Sequence, residues 1–293
     1  RARVRPAACG LRRDAVPATK EVGDPPILEE LSRAVGKLAE ATDRQIHLVL
    51  ENDDNAAHLL DPGADPPGGK YRAQWNDDYH HAWHVLLTGE TAGYYGDYAE
   101  PRQHLLRCLS GGFAYQGELS PHRGSVPRGE DSAGLPSTAF VNFLQNHDQI
   151  GNRPFGDRLE TLAPAAAVEA ALAITLLLPM PPMLFMGEEW GARQPFPFFC
   201  DFTGDLARAV EEGRKREFQD IFARLPPGKT LPNPMNLATF GSAKLDWSDL
   251  HKPEHRARHD LVRRLLEVRR TQIAPRLSGM GGTQEPVQDH GRG

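Results

Sequence analysis

The chain has 293 residues, 39% of them hydrophobic and 25% charged, with a formal net charge of -5 and a pI near 6.2. That length can bury a sizeable core, as one large α/β domain or as two smaller ones. The mildly acidic balance supplies no basic field to hold nucleic acid or an anionic membrane, so a neutral or small partner is expected.

In chain order, apolar runs alternate with helical patterns. A weak strand signal surrounds Cys9 to Val16, and helical spacing covers Pro26 to Ala41. The clearest strand is Ile46 to Leu50, closed by Glu51; another spans Tyr71 to Trp75, ahead of Asn76-Asp77-Asp78. Helical spacing returns from Tyr79 to Thr88. Gly, Pro and Ser crowd 60–70 and 117–136, which read as loops. A strand from Ala139 to Leu144 ends at Asn146-His147-Asp148, a helix covers Ala163 to Leu178, and a fifth strand, Met183 to Met186, ends at Gly187-Glu188-Glu189. A Pro- and Phe-rich excursion occupies about 191–245, with a charged helix near Leu206 to Leu225. A last helix covers His255 to Ile273, and the polar, Gly-rich residues 278–293 read as a disordered tail.

Strands alternating with helices imply a parallel sheet. Polar residues gathered at strand C-terminal ends suit the active face of a (β/α)₈ barrel, and equally the crevice of a doubly wound sheet. Cys9, Cys108 and Cys200 are odd in number and far apart, which fits a reducing, cytoplasmic setting and not a disulfide framework. The longest apolar stretch, Ala163 to Met186, is interrupted by Glu169, Pro179, Pro181 and Pro182 and should not span a membrane. No apolar segment follows the basic residues Arg1 to Pro6, so no signal peptide is expected. The first residue is Arg1, so the expectation is a chain that starts mid-gene.

The candidate chemistry lies in the strand-end carboxylates. Side chains alternate along a strand, so Arg12 and Asp14 share a face, and a neighbouring guanidinium keeps a carboxylate ionised, as a nucleophile requires. Glu51 ends the most apolar strand, a setting that favours the protonated form and suits a general acid. One ionised and one protonated carboxyl are what retaining glycoside hydrolysis needs. The plainer reading is that acidic residues at strand ends cap the following helices. Trp75 is the aromatic residue expected to stack on a sugar face, with Tyr79, Trp83, Tyr94, Tyr95 and Trp190 shared between platform and core roles.

Other patterns point elsewhere and stop short. His80 and His84 are spaced i, i+4, yet no His-Glu-x-x-His is present; sugar contact or packing is expected, and no metal. Glu51 to Asn55 is oxygen-rich but lacks EF-hand spacing. Pro227-Gly228-Lys229-Thr230 lacks the earlier glycine of a phosphate loop. No cofactor is expected.

The run Val141 to Arg153, containing Gln145-Asn146-His147-Asp148-Gln149-Ile150-Gly151-Asn152, resembles the fourth conserved region of the α-amylase superfamily, in the form found in maltooligosyltrehalose trehalohydrolases. Gly10 to Val16 is similar to the second region and Leu48 to Asp53 to the third. Gln74 to His81 and Phe185 to Gly191 also look like that family. The resemblance implies an α/β fold, a (β/α)₈ TIM barrel of α-amylase type that is incomplete, with roughly strands 4–8 present in residues 1–277. It implies Asp14 as nucleophile, Glu51 as acid/base and Asp148 as third carboxylate. Arg12, Trp75, Asn76, Asp77, His80, His81, Asn146, His147 and Gln149 are the expected substrate contacts. The implied substrate is maltooligosyltrehalose or another α-glucan. Other α-glucan hydrolysis or branching is the alternative within the class, and a catalytically inert sugar-binding or misfolded remnant the alternative outside it. Two residues depart from the pattern. Arg13 would set an unpaired charge against the helix layer, and Pro17 would remove an amide donor from the turn after Asp14.

Overall fold

The computed structural model describes residues 10–19, 25–61, 71–219 and 230–277. They divide into two compact units. The first holds residues 1–143, 175–183 and 268–293, and the second holds residues 144–174 and 184–267.

The first unit is built on a parallel sheet. Strand β1 (Gly10–Arg13) pairs with β2 (His47–Leu50), β2 with β3 (Ala73–Trp75), and β3 with a later strand, β6 (Phe140–Val141). Neighbours in the sheet follow chain order without a reversal. A doubly wound sheet must reverse its order at a switch point, so that alternative falls and the barrel-type order stands. Leu48 and Leu50 on β2 are buried completely, with Val49 between them half-buried, as period-two alternation requires.

Helix α1 (Ile27–Thr42) joins β1 to β2. Leu28, Ser32 and Gly36 repeat every fourth residue and form its buried stripe. It ends where Asp43 turns left-handed (φ 49°) and donates its N–H to Ala39 and Glu40. Leu28, Leu48, Leu50, Leu60, Tyr71, Phe113, Phe140 and Met180 form the core of this unit.

Between β3 and β6 lie helix α2 (Asp77–Thr88), helix α3 (Pro101–Gly111) and an antiparallel hairpin of β4 (Glu118–Ser120) and β5 (Val126–Arg128). The Gly- and Pro-rich composition of 117–136 conceals that hairpin, so the expectation of a plain loop is corrected. Gly112 closes α3 at φ 90°; a Cβ there would lie 2.1 Å from the Phe140 ring, so the ring reaches the core only past a glycine.

Two expected strands are shortened. Residues 139–144 keep strand pairing only at Phe140 and Val141, with Asn142 bridged to Pro182. The expected strand 183–186 reduces to that bridge: Asn142 donates to Pro181 and Met183 donates to Asn142, each at 2.9 Å. Pro181 and Pro182 carry no N–H, so the ladder cannot extend through them. Beyond, the Arg269 guanidinium collects the carbonyls that end the preceding helix and its turn, at Leu176, Leu178, Pro179 and Met180.

The second unit is helical. It contains α4 (His147–Gly151), α5 (Leu159–Leu162), the first ten residues of α6 (Ala165–Leu177), α7 (Gly204–Glu217), α8 (Leu237–Ser242) and nearly all of α9 (Pro253–Val268). The helix expected at His255 to Ile273 is α-helical only to Val268, and Arg269–Ile273 form a π-turn. The charged helix of the excursion ends at Glu217. Cys9, most of the 60–70 loop, Pro227-Gly228-Lys229 and the tail from 278 lie outside the described residues. Among the described residues no helix is long and apolar enough to cross a membrane.

Candidate active site

The first unit brings Arg12, Asp14, Glu51 and Trp75 to the C-terminal edge of its sheet. Arg13 pairs with Leu50 across β1 and β2, so Asp14 and Glu51 each directly follow the last paired residues of their strands. Adjacent strands lie about 4.8 Å apart and residues at one register position share a face. Three backbone-linked bonds secure the pair. Glu51 N donates to Arg13 O (2.9 Å), Val16 N donates to Glu51 O (3.1 Å), and Ala15 N donates to Glu51 Oε2 (2.7 Å). Ala15 takes φ 53°, ψ 54°, a left-handed turn that side chains other than Gly, Asn and Asp rarely adopt.

Arg12 Nη1 lies 2.9 Å from Asp14 Oδ1, and the Asp14 side chain is 58% exposed. The same guanidinium sits 4.0 Å above the Trp75 ring, which also meets Phe143 at 5.6 Å. One face of Trp75 is therefore taken by Arg12. Neither departure from the expected pattern disrupts this geometry. Arg13 is paired, donating to Asp14 O (3.0 Å) and Thr19 Oγ1 (2.9 Å). Pro17 lies in the first turn of a short 3₁₀ turn, Val16–Ala18, where a missing N–H costs nothing.

Asn76 is fully buried. Its carbonyl oxygen caps α2 at Tyr79 N, and its amide donates to Gly112 O (2.8 Å) and Asn142 Oδ1 (2.9 Å). It therefore ties β3 to β6 and presents no polar atom to solvent. Asp77, in the first turn of α2, is buried, and its carboxyl is pushed up to about 8 by burial first, then by the charges of Glu51 and Asp53. At neutral pH it carries a proton and can donate a hydrogen bond.

His80 and His81 are buried in a ring cluster. His80 shares a hydrogen bond with Tyr95 Oη (3.0 Å) and stacks on Phe143, while His81 packs 4.9 Å from Tyr94 and 4.8 Å from Tyr98. Burial drives the His81 imidazole well below its ordinary range, so it is neutral. Tyr79, Trp83 and Tyr95 are core, whereas Trp75 and Tyr94 keep partial exposure. Among the described residues no cluster of three His, Cys, Asp or Glu side chains could hold a metal ion.

The residue that organises this edge escaped sequence reasoning. Asp78 is fully buried, and its Oδ2 accepts from Asn55 Nδ2 (2.8 Å), Ala114 N (2.8 Å) and Tyr115 N (3.0 Å). Its Oδ1 accepts from Tyr98 Oη and lies 2.8 Å from the Arg128 guanidinium. Burial works to raise the Asp78 carboxyl, but Arg128 and these donors hold it below its ordinary value. Arg128 also donates to Tyr98 Oη (2.6 Å) and Asp53 O (2.8 Å). An Asp at the second helical position reads as a dipole partner; nothing local in the sequence couples it to an arginine fifty residues on.

Asn146, His147, Asp148 and Gln149 belong to the second unit. Asn146 caps α4, accepting from Asp148 N (2.8 Å) and Gln149 N (3.3 Å). His147 Nε2 lies 3.4 Å from Asp148 Oδ1, both side chains are about half exposed, and Gln149 is buried. Beside them Gln145 bridges Glu160 (3.0 Å) and Leu159 N (3.1 Å). In the same unit Glu188 is buried, with its carboxyl pushed up by burial and by the charge of Glu160.

No family model matches the chain. Curated relatives do. The chain is 38% identical over 281 residues to the malto-oligosyltrehalose trehalohydrolase of Rhizobium sp. (strain M-11), covering 95% of this chain and 46% of that one. It is 38% identical over 263 residues to the Deinococcus radiodurans protein of the same name, covering 89% and 42%. It is 35% identical over 239 residues to that of Saccharolobus solfataricus, covering 81% and 39%. A crystal structure from Salmonella typhimurium, provisionally assigned as an alpha-amylase, superposes with TM-score 0.86 at 45% identity, over 94% of this chain and 46% of that one. The parallel sheet in sequential order is thus part of an α-amylase-type (β/α) barrel. The chain spans about half the length of the curated relatives it matches, and over that half its sequence is similar to malto-oligosyltrehalose trehalohydrolases.

Proposed function

We propose that the chain carries catalytic residues of a retaining glycosidase that hydrolyses the α-1,4 bond beside the terminal trehalose unit of maltooligosyltrehalose. The observation that carries this reading is that Asp14 and Glu51 each directly follow the last paired residues of neighbouring strands, Arg13 and Leu50. Retaining enzymes hold their two carboxyl groups about 5–5.5 Å apart. An Asp14 oxygen attacks the anomeric carbon as Glu51 gives its proton to the departing O4 of trehalose. The maltooligosyl group is then an ester on Asp14. Water enters, Glu51 takes its proton, the ester bond breaks, and the freed sugar keeps its α configuration. Arg12, 2.9 Å from Asp14 Oδ1, orients that oxygen; the family resemblance separately gives Asp148 and His147, in the second unit, the role of contacting sugar hydroxyls. Trp75, partly exposed, is the aromatic ring offered to the sugar, and protonated Asp77 supplies a donor.

We further assign residues 1–277 to the partial barrel, with 191–245 an excursion from it, and place the protein in the cytoplasm, since Cys108 and Cys200 are free thiols. The test is trehalose release from maltotriosyltrehalose by the protein and by Asp14→Asn. Release by the parent alone supports the assignment. Turnover of plain maltooligosaccharides at an equal kcat/KM, without preference for the trehalosyl end, favours general α-glucan hydrolysis. Trehalose release by Asp14→Asn at the parental rate refutes the nucleophile.

A further inference from the structure

The β4–β5 hairpin is built inside out. Its apolar side chains Leu119 and Val126 are more than half exposed, while its buried side chains are Ser120 and Arg128. An element that adds no apolar surface to the core is held by its polar contacts: Glu118 pairs with Arg107, Ser120 Oγ and His122 N donate to Asp97, Arg128 pairs with Asp78, and a further set reaches the segment that follows β2. Arg123, in the hairpin turn, forks to the carboxylates of Asp53 and Asp54 and donates to Asp53 O (3.2 Å). Arg128 donates to the same Asp53 carbonyl (2.8 Å). Glu130, just past β5, donates its N–H to Asn55 O (3.1 Å) and accepts from His58 N (2.9 Å). The gripped segment, 53–58, begins two residues after Glu51.

We propose that this hairpin is a positioning element for the Glu51 carboxyl, acting through Arg123 and Arg128 on the loop that follows β2. The proposal rests on the assignment of Glu51 as acid/base. Upstream, Glu51 is fixed by the β1 backbone at Arg13 and Ala15; downstream, the two guanidinium groups fix the chain leaving it. A carboxyl that must deliver and recover one proton at a fixed oxygen needs both ends of its backbone held, because small displacements of a catalytic group are costly in rate. Planar, bidentate guanidinium contacts impose direction as well as charge, which a lysine does not.

Arg123 is the informative position, because it is partly exposed and its loss strands no buried charge. Arg123→Met and Arg123→Lys are compared with the parent in steady-state kinetics on maltotriosyltrehalose, in thermal melts, and in hydrogen exchange at the amides of 51–55. For Arg123→Met we expect kcat about tenfold lower, KM within twofold, a melting temperature nearly unchanged, and exchange at 51–55 at least tenfold faster. Arg123→Lys recovers only part of the kcat. Asp54→Asn, which weakens one arm of the fork, moves kcat and exchange the same way by less and serves if Arg123→Met does not fold. Parental kcat together with parental exchange overturns the proposal, as does a fall in melting temperature with kcat intact. If the parent itself is inactive, exchange alone decides: unchanged exchange at 51–55 in Arg123→Met refutes the grip, and faster exchange upholds it.

Discussion

Replacing Arg128 with Met tests whether the hub around Asp78 holds the loops at the sheet edge. The guanidinium is 5% exposed and the carboxylate 0%, so neither ion has water to return to. Removing one partner of a buried pair costs about 3–5 kcal/mol, because the other charge stays buried and uncompensated. Asp78 retains donors from Asn55, Ala114, Tyr115 and Tyr98, which places its share near the low end, about 3 kcal/mol. The bonds from Arg128 to Asp53 O and Tyr98 Oη go as well, adding about 1 kcal/mol net. The expected loss is about 4 kcal/mol, a large share of the 5–15 kcal/mol typical of a whole protein. Guanidinium titration of parent and variant, with the m-value as a check on cooperativity, reads it directly. A loss under about 1 kcal/mol, the level of an exposed ion pair, would refute the reasoning. The sign with pH follows too. Because the folded Asp78 carboxyl is held below 3.8, its contribution is present above that pH and is lost as pH falls through the folded value.

Asp77 runs the other way. Its folded pKa of about 8 exceeds the ordinary 3.8, so the native state binds the extra proton and stability declines as pH rises between those values. Asp77→Asn should flatten that slope and leave the variant more stable than the parent above pH 8; parallel stability–pH curves from pH 4 to 9 would contradict it. Gly129 sits at φ 83° with the Tyr115 carbonyl 1.9 Å from where a Cβ would stand, so Gly129→Ala should cost about 3 kcal/mol, from left-handed strain plus overpacking. A melting temperature unchanged in that variant would mean the backbone yields there easily.

Strand β2 and helices α1, α2 and α6 were legible because they announce themselves locally, through a short β-branched and leucine run or a repeat of apolar positions. So was the placing of Glu51 at a strand end, since the C-terminus of β2 can be read from where its apolar run stops. The hairpin was not, because its buried side chains are polar and its apolar ones face water, which inverts the pattern by which strands are recognised. The fifth strand was overread: apolar content suggested a strand at Met183 to Met186, but Pro181 and Pro182 limit the ladder to a single bridge. Asn76 and His80 read as polar groups near a site; the former is spent on capping and strand pairing, the latter on Tyr95. Arg13 shows the reverse error. A charge predicted to be stranded finds Asp14 O and Thr19 within reach, because long side chains search a radius that sequence position does not define.

The left-handed turn at Ala15 has a consequence for how sharply Asp14 is aimed. Glycine would adopt φ 53° without strain, but it would also leave the unfolded chain freer and the folded turn softer. Alanine makes the opposite exchange: once the turn is forced by its bonds to Glu51, the methyl group closes off neighbouring backbone states. The direction in which the carboxylate leaves the sheet is then set by covalent geometry at the adjoining residue, and it stays set when no sugar is there to pack against it.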